Sequence, residues 1–326
     1  MNTEHITLLQ PDTYIYIGWG ILLFLTVVAG LICFFAKRRW LKWASVIPLC
    51  LIWPFFLYGV YIGSNQLEVN HVELAFDDLP EAFDGYTIVQ FSDVHTGTLT
   101  GSRRELLERA VDSINAQNAD MVVFTGDLQN KVPSEIEPFR ELLSSIKAKD
   151  GVYSIIGNHD YTTYDDGDGL EIYTNSGLRM GMDEELGWIQ LYNSRCFIRR
   201  GDQRIVIAGM DNDGDGERFP QNGDLSMTLY RVKRQDFVIL LEHDPSSWRR
   251  KILPHCHAQL TLSGHTHGGQ FSFFGLSPVS LKYKENSGLY EIGKRYLYVS
   301  NGISGVVPFR VGVPAEVTVF TLRRNN

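Results

Sequence analysis

The segment Thr87-Ile88-Val89-Gln90-Phe91-Ser92-Asp93-Val94-His95 runs largely apolar for five residues and then breaks into a carboxylate and an imidazole. Five residues are too few for a helix, and a run of this kind suits a strand buried on both faces. The same pattern recurs downstream. Met121–Phe124 ends in Gly126-Asp127, and residues 152–156 end in Gly157-Asn158-His159-Asp160. Phe237–Leu241 ends in Glu242-His243-Asp244, and residues 259–262 end in Gly264-His265-Thr266-His267-Gly268-Gly269. Further strands are predicted at 204–208, 296–300 and 316–322. Residues 103–117 have helical spacing, with Leu106, Leu107, Ala110, Val111 and Ile114 on one face. Pro133 opens a second predicted helix running to about Lys147. Strand, loop and helix alternate in this way through an α/β body.

Five predicted strands thus deliver Asp, His or Asn at their carboxyl ends, the rim where open α/β sheets bind ligands. Five of the nine histidines fall there. Singly, each motif reads as a turn; together they read as one site. In an extended stretch His265 and His267 point to the same side, so both can reach one centre. Carboxylate, imidazole and amide oxygen suit Mn, Fe or Zn. No cysteine joins the set, which argues against a structural zinc site. The donors outnumber the needs of one ion, so two ions sharing a carboxylate is the expected count.

The amino end differs. Residues 14–36 and 43–63 each lack any charged side chain, and each is about the 20 residues needed to cross a hydrocarbon core. Tyr14, Tyr16, Trp19, Trp40, Trp43, Tyr58 and Tyr61 flank these runs as an aromatic belt would. Pro48 and Pro54 lie in the second run, where membrane helices tolerate a kink. A cleaved signal peptide is disfavoured because the preceding tail has no basic region. Lys37, Arg38, Arg39 and Lys42 between the runs favour a cytoplasmic turn. The expectation is a two-pass anchor over residues 1–63, with the domain over 64–326 on the non-cytoplasmic side. One span with an interfacial second segment would reverse that side.

Composition supports this division. The 326 residues carry 30 Lys+Arg and 38 Asp+Glu, a net charge of −8. Residues 1–63 hold four basic and two acidic side chains, so the body carries −10. That balance argues against nucleic acid as a partner. It does not argue against an anionic phosphate ester, because bound cations would dominate the local field. Four scattered cysteines with no C-x-x-C pair give neither a disulfide framework nor a thiol redox site.

Asp-x-His, Gly-Asp, Gly-Asn-His-Asp, a single His after a strand, and Gly-His-x-His, in this order, resemble the calcineurin-like metallophosphoesterase superfamily. Leu79-Pro80, Phe83-Asp84-Gly85, Gln270 after the last glycine pair, Arg310 and Pro314-Ala315-Glu316 are similar to a membrane-associated bacterial branch. That branch includes phosphodiesterases of Tat-exported type and anchored UDP-diacylglucosamine pyrophosphatases. The resemblance implies a four-layer α/β/β/α sandwich with a dinuclear site at the strand ends, here preceded by the two-helix transmembrane hairpin, and makes a bacterial inner membrane the expected location of this catalytic domain. It implies Asp93, His95 and His267 on one ion, Asn158, His243 and His265 on the other, and Asp127 between them. His159 would protonate or stabilise the leaving oxygen, Asp160 would orient a histidine, and Arg310 would meet a phosphate oxygen. Asn130 stands where the family often has Asp, and it can hydrogen-bond but carries no charge.

The expected function is hydrolysis of a phosphodiester or pyrophosphate by a metal-bridging hydroxide, on a small phosphorylated molecule or a lipid-linked substrate. Two alternatives stand beside it. A UDP-diacylglucosamine pyrophosphatase of lipid A synthesis conflicts with the expected topology, and a non-catalytic metal-binding membrane scaffold would fit a site with a ligand missing. Asp165, Asp166 and Asp168 read as a solvated loop. Asp211, Asp213 and Asp215 lack the distal Glu of a calcium loop. Phe271, Phe273, Phe274 and Leu276 read as core or hairpin, or as a lip touching lipid.

Overall fold

The computed structural model describes residues 9–161, 164, 169–216 and 219–325. Asp165, Asp166 and Asp168 lie outside them. The strands are β1 (Leu67–Phe76), β2 (Thr87–Phe91), β3 (Met121–Phe124), β4 (Val152–Ser154), β5 (Ile189–Gln190) and β6 (Ser194–Arg200). They continue as β7 (Gln203–Gly209), β8 (Phe237–Leu241), β9 (Leu260–Ser263), β10 (Gly288–Ile292), β11 (Arg295–Val299) and β12 (Ala315–Arg324). They form two six-stranded sheets, ordered β1-β12-β2-β3-β4-β5 and β10-β11-β9-β8-β7-β6.

Strand periodicity sorts the apolar side chains into layers. Ile88, Met121 and Val123 of the first sheet meet Ile207, Ile239 and Leu262 of the second in one buried cluster between the sheets. Their sequence neighbours Val89, Val122 and Phe124 point the other way, onto Leu106, Leu107, Ala110 and Val111 of the helix α3 (Arg104–Ala116). Val206, Val238 and Leu240 point away from the first sheet, onto Trp248 and Ile252. The result is the predicted α/β/β/α sandwich.

The structure corrects several boundaries. β1, β5, β6 and β10 were not anticipated, and they are the four edges of the two sheets. An edge strand needs no continuous apolar run: β1 intersperses Glu68, Asn70 and Glu73 with its apolar residues. The helix expected over 133–147 is instead a turn at Pro133–Glu135, another at Glu137–Phe139, and a short helix at Arg140–Ser144. Pro138 supplies the reason, since it removes a donor and clashes with the preceding turn.

The helices of consequence are α1 (Pro11–Phe35), α2 (Arg39–Leu57), α3 (Arg104–Ala116), α4 (Arg140–Ser144) and α5 (Gly169–Glu185). α1 begins earlier than predicted because Pro11 is well suited to a first helical position. α2 begins at Arg39, so the turn is only three residues and Arg39 and Lys42 ride on the first helical turn. α2 continues through Tyr58–Ile62 and Gly63–Asn65 to β1. Both helices are long and apolar enough to cross a membrane by length and composition. They pack through Trp19, whose ring lies 5.4 Å from Trp53 and 5.6 Å from Phe56. Gly18 permits this closeness, because a Cβ there would stand 2.5 Å from the Phe56 ring.

Candidate metal centre

Parallel pairing of β2, β3 and β4, and of β8 and β9, brings the five motif-bearing strand ends to one side of the sandwich. The two sheets are tied directly beneath that rim. Gln90 of β2, wholly buried, donates to Ser263 O of β9 at 2.9 Å and to Thr125 Oγ1 at 3.1 Å.

Asp93, His95 and His267 form one group whose donor atoms all lie within 4.8 Å of one another, and Asp127, His243 and His265 form a second. Asn158 joins the second group, its Oδ1 lying 2.7 Å from His265 Nδ1. Asp127 sits between the groups, with Oδ2 3.6 Å from His95 Nε2 and 3.2 Å from His243 Nε2. All seven sequence-predicted donors therefore converge.

The backbone holds the histidines by their rear nitrogens. His243 Nδ1 lies 2.7 Å from Thr125 O, and His267 Nδ1 lies 3.1 Å from Ser304 O. These carbonyls assign a proton to Nδ1 and leave Nε2 facing the centre, as a free lone pair on His267. Burial opposes charge on His243, but Asp127 and Asp93 overcome it and raise that imidazole to about 10, so a bound cation would have to displace its second proton. His265 is reversed: Nε2 meets Tyr283 Oη at 2.7 Å, and Nδ1 faces Asn158.

The electrostatics suit cation binding. Burial first, then the neighbouring His159, pulls His95 down to about 3. Burial likewise lowers His265 to about 4 and drives His267 well down, so all three imidazoles are neutral donors at neutral pH. Burial opposes charge on Asp127 also, but His243 and His159 overcome it and hold the carboxylate well below its usual range. Asp93, with Asp127 close by, is pushed up to about 7, chiefly by burial.

The donor set fits a pair of divalent ions on this structure's own geometry. His95 Nε2 and His267 Nε2 stand 3.2 Å apart. With His267 protonated on Nδ1, either two lone pairs oppose each other or His95 donates and leaves its buried Nδ1 without a partner. A cation accepting both lone pairs removes that conflict. Five donors also have positive φ: Asp93 at 51°, His95 at 43°, Asp127 at 61°, His265 at 71° and His267 at 52°. Such backbone costs about 1–3 kcal/mol per residue and concentrates at functional sites. Close approach makes two glycines mandatory: a Cβ on Gly157 would lie 2.2 Å from Asp127 Oδ1, and one on Gly264 2.2 Å from Asp93 Oδ2.

His159 lies at the edge of this centre. Its N–H donates to Asp127 Oδ1 at 2.8 Å, its Nδ1 lies 2.7 Å from Asn130 O, and its ring stacks on Tyr164 at 4.2 Å. The contact with residue 130 is thus to the backbone carbonyl, which any residue provides, so the Asn in place of Asp does not disturb it.

Two expected roles are corrected. Among the described residues, Asp160 holds backbone amides and an arginine rather than a histidine. Its carboxylate accepts from the amides of Asp127 (2.9 Å), Leu128 (3.0 Å) and Gly157 (2.9 Å), and it pairs with buried Arg179 at 2.8 Å. Arg310 is buried, and its two terminal nitrogens donate to the carbonyls of Asn301, Gly302, Ser304, Val313 and Pro314. Those nitrogens clamp a loop and are not presented to a phosphate.

Sequence reading missed four contributors. Tyr283 and Tyr164 touch His265 and Asn158 from loops with no motif. Asp244 lies 3.5 Å from His265 Nε2, and its adjacency to His243 was the available signal. Arg179 bridges Asp160 and Asp183 from α5, and Asp183 takes Ser154 Oγ of β4 at 2.8 Å. Asp213, by contrast, is a structural anchor, paired with Arg250 and Lys251 at 2.7 and 2.9 Å.

A buried binuclear-type donor set at the strand ends of an α/β/β/α sandwich defines the metal-dependent phosphoesterase class. The comparisons are specific. Residues 86–269 match the family model for calcineurin-like phosphoesterases. The uncharacterized metallophosphoesterase YkuE of Bacillus subtilis is 32% identical over 82% of this chain and 90% of its own. A transmembrane protein with metallophosphoesterase domain from Danio rerio is 30% identical over 86% of this chain, which spans 63% of that relative. The phosphopantetheinyl hydrolase of Mycobacterium tuberculosis superposes with a TM-score of 0.42 at 14% identity, covering 66% of this chain and 88% of that one. The chain belongs to the calcineurin-like phosphoesterase family and is a phosphoric ester hydrolase. Its two apolar helices, and relatives named as transmembrane proteins, point to a membrane setting.

Two outcomes follow. Arg179→Met leaves the buried Asp160 and Asp183 carboxylates without their cation, so chemical denaturation should register a loss of about 3–5 kcal/mol. Chelator-treated protein should melt earlier than untreated protein, and Mn or Zn at about 100 times its dissociation constant should restore about 2.7 kcal/mol. An unchanged melting curve on adding either ion would remove the binding site.

Proposed function

We propose that this chain is a membrane-anchored, two-metal phosphoesterase that cleaves a phosphodiester or pyrophosphate bond, with lipid-linked esters as its substrate class. The observation that carries the reading is the convergence of Asp93, His95, Asp127, Asn158, His243, His265 and His267 beside a pair of apolar helices. Residues 1–63 form the anchor and 64–326 the catalytic domain.

Asp93, His95 and His267 would hold one ion and Asn158, His243 and His265 the other, with Asp127 lying between the two groups. Two such ions, when bound, supply Lewis acidity toward phosphoryl oxygens and lower the pKa of water. The chain's own work is positional. Thr125, Ser304 and Tyr283 fix the imidazoles that aim donor nitrogens at the centre. His159, braced by Asn130 O and stacked on Tyr164, keeps Nε2 for the departing oxygen and delivers a proton to it.

Leaving-group dependence tests that role. His159→Gln should lose about 10²–10⁴-fold in kcat on an alkyl ester and far less on a nitrophenyl ester, whose oxygen needs no proton. Equal losses on the two esters would sink the acid assignment.

The basic residues Lys37, Arg38, Arg39 and Lys42 at the tip of the hairpin support a reading with both termini and the catalytic domain on the non-cytoplasmic side. An alkaline phosphatase reporter fused after Asn326 should be active in bacterial cells. An inactive phosphatase, with a fluorescent protein fused at the same position glowing, would reverse the orientation.

A further inference from the structure

The segment from Phe271 to Lys282, directly after the His267 loop, is built against the usual logic of a soluble surface. Phe273 and Leu276 exchange two backbone hydrogen bonds of 3.0 Å each, closing a two-residue hairpin around Phe274 and Gly275. Both central residues have positive φ, 50° and 77°, as the mirror-image turn of tight hairpins requires. Asn, Asp or Gly normally occupy the first of these places, because a bulky side chain there is strained. Here it is a phenylalanine whose side chain finds no core: Phe274 is 90% exposed.

The surroundings share this character. Leu276 is 75% and Leu281 94% exposed, and Phe273 is 59% exposed. Past residue 63, no other large hydrophobic among the described residues exceeds 59%. The comparable values belong to the outward faces of the apolar helices, such as Phe34 at 80% and Phe35 at 72%. Large exposed apolar groups clustered in one place mark an interaction site.

The lip is continuous with the end of α2. Phe271 at its base lies 5.8 Å from Phe55, and Phe309 lies 5.9 Å from Phe55 and 6.3 Å from Phe56. Arg310 N donates to Gly59 O at 3.1 Å, and Ser272 N donates to Val311 O at 2.8 Å, so helix end, loop and lip form one packed unit. Lys282 completes it. Its ammonium lies 4.6 Å from the Phe219 ring and 4.8 Å from the Tyr283 ring, and each ring abuts His265. An apolar tip with a flexible cation just behind it is the pattern of a segment seated at a lipid interface.

We propose that Phe273, Phe274, Leu276 and Leu281 insert into the bilayer surface beside α2, seating the metal centre's His265–His267 edge on the lipid headgroups. This rests on the reading that α1 and α2 span the membrane. The consequence is a route by which a lipid-borne phosphate ester reaches the centre without leaving the membrane, with Lys282 at headgroup level.

The test uses the intact full chain in phosphatidylcholine nanodiscs containing a minor fraction of diazirine-bearing phosphatidylcholine, with adducts mapped by peptide mass spectrometry. Peptides covering 271–281 should carry adducts at a density close to that of α1 and α2, and roughly tenfold above that of the β6–β7 turn at the far end of the sandwich. Adducts on α1 and α2 with the lip at the level of that turn would overturn the lip and leave the spans standing. No adducts on α1 and α2 would overturn both readings.

Discussion

One carboxylate, that of Asp160, holds the centre's geometry. It accepts from the amides of Asp127, Leu128 and Gly157, three donors from two loops that follow neighbouring strands. Those loops carry Asp127, Asn158 and His159. A left-handed residue such as Asp127 does not hold its conformation unaided, because the strain needs a surrounding structure that over-determines it. Asp160 supplies this at both loops, and Arg179 holds it by direct contact at 2.8 Å. Arg179 in turn is placed by Asp183 and, through it, by Ser154 of β4. The chain of contacts begins and ends on the same strand, so α5 locks the loop to the sheet that produced it.

Burying an Arg between two Asp residues is not a cheap way to gain stability, since desolvation consumes much of the attraction. Its value here is positional. An apolar replacement could fill the volume but could not present oxygens to three amides at once. The same principle governs the second sheet, where Thr125 O and Ser304 O take the outer nitrogens of His243 and His267. Main-chain carbonyls in loops pinned by their own backbone bonds, Thr125 N to Phe91 O and Ser304 N to Asp93 O, make rigid orienting partners, and rigidity is what a donor set of seven residues requires.

The sequence was informative where physics leaves a local trace. Central strands are apolar on both faces, so β2, β3, β8 and β9 stood out within a residue or so of their true bounds. The four sheet-edge strands left no such trace, because one side of each faces loop or solvent. The donors were legible because Asp, His and Asn directly after apolar runs have few other reasons to recur five times. Partners that act through a backbone carbonyl, such as Asn130 O on His159, have no signature at all, because every residue type offers one. Arg310 misled for a related reason. A guanidinium near a phosphate site suggests the ligand, whereas here five carbonyls satisfy its terminal nitrogens and burial lowers it to about 10.

That same Arg310 joins the two halves of the molecule. Its backbone N–H bonds to Gly59 O just beyond α2, and its guanidinium grips Ser304 O, which also takes His267 Nδ1. The end of the apolar hairpin and the His267 imidazole are therefore linked through three hydrogen bonds. Room for this is narrow. A Cβ on Gly59 would strike the Phe309 ring at 2.2 Å, and one on Gly63 would strike Arg310 O at 1.9 Å. At the other end of the hairpin, the Asp12 carboxylate partly offsets the burial that lowers Arg103, in the loop that follows His95. The end of α2 thus meets the body on the side where the strands end. An anchor attached by a flexible tether would leave the orientation of the centre to chance. One packed against the loops that carry the donors makes the orientation of the centre a property of the fold.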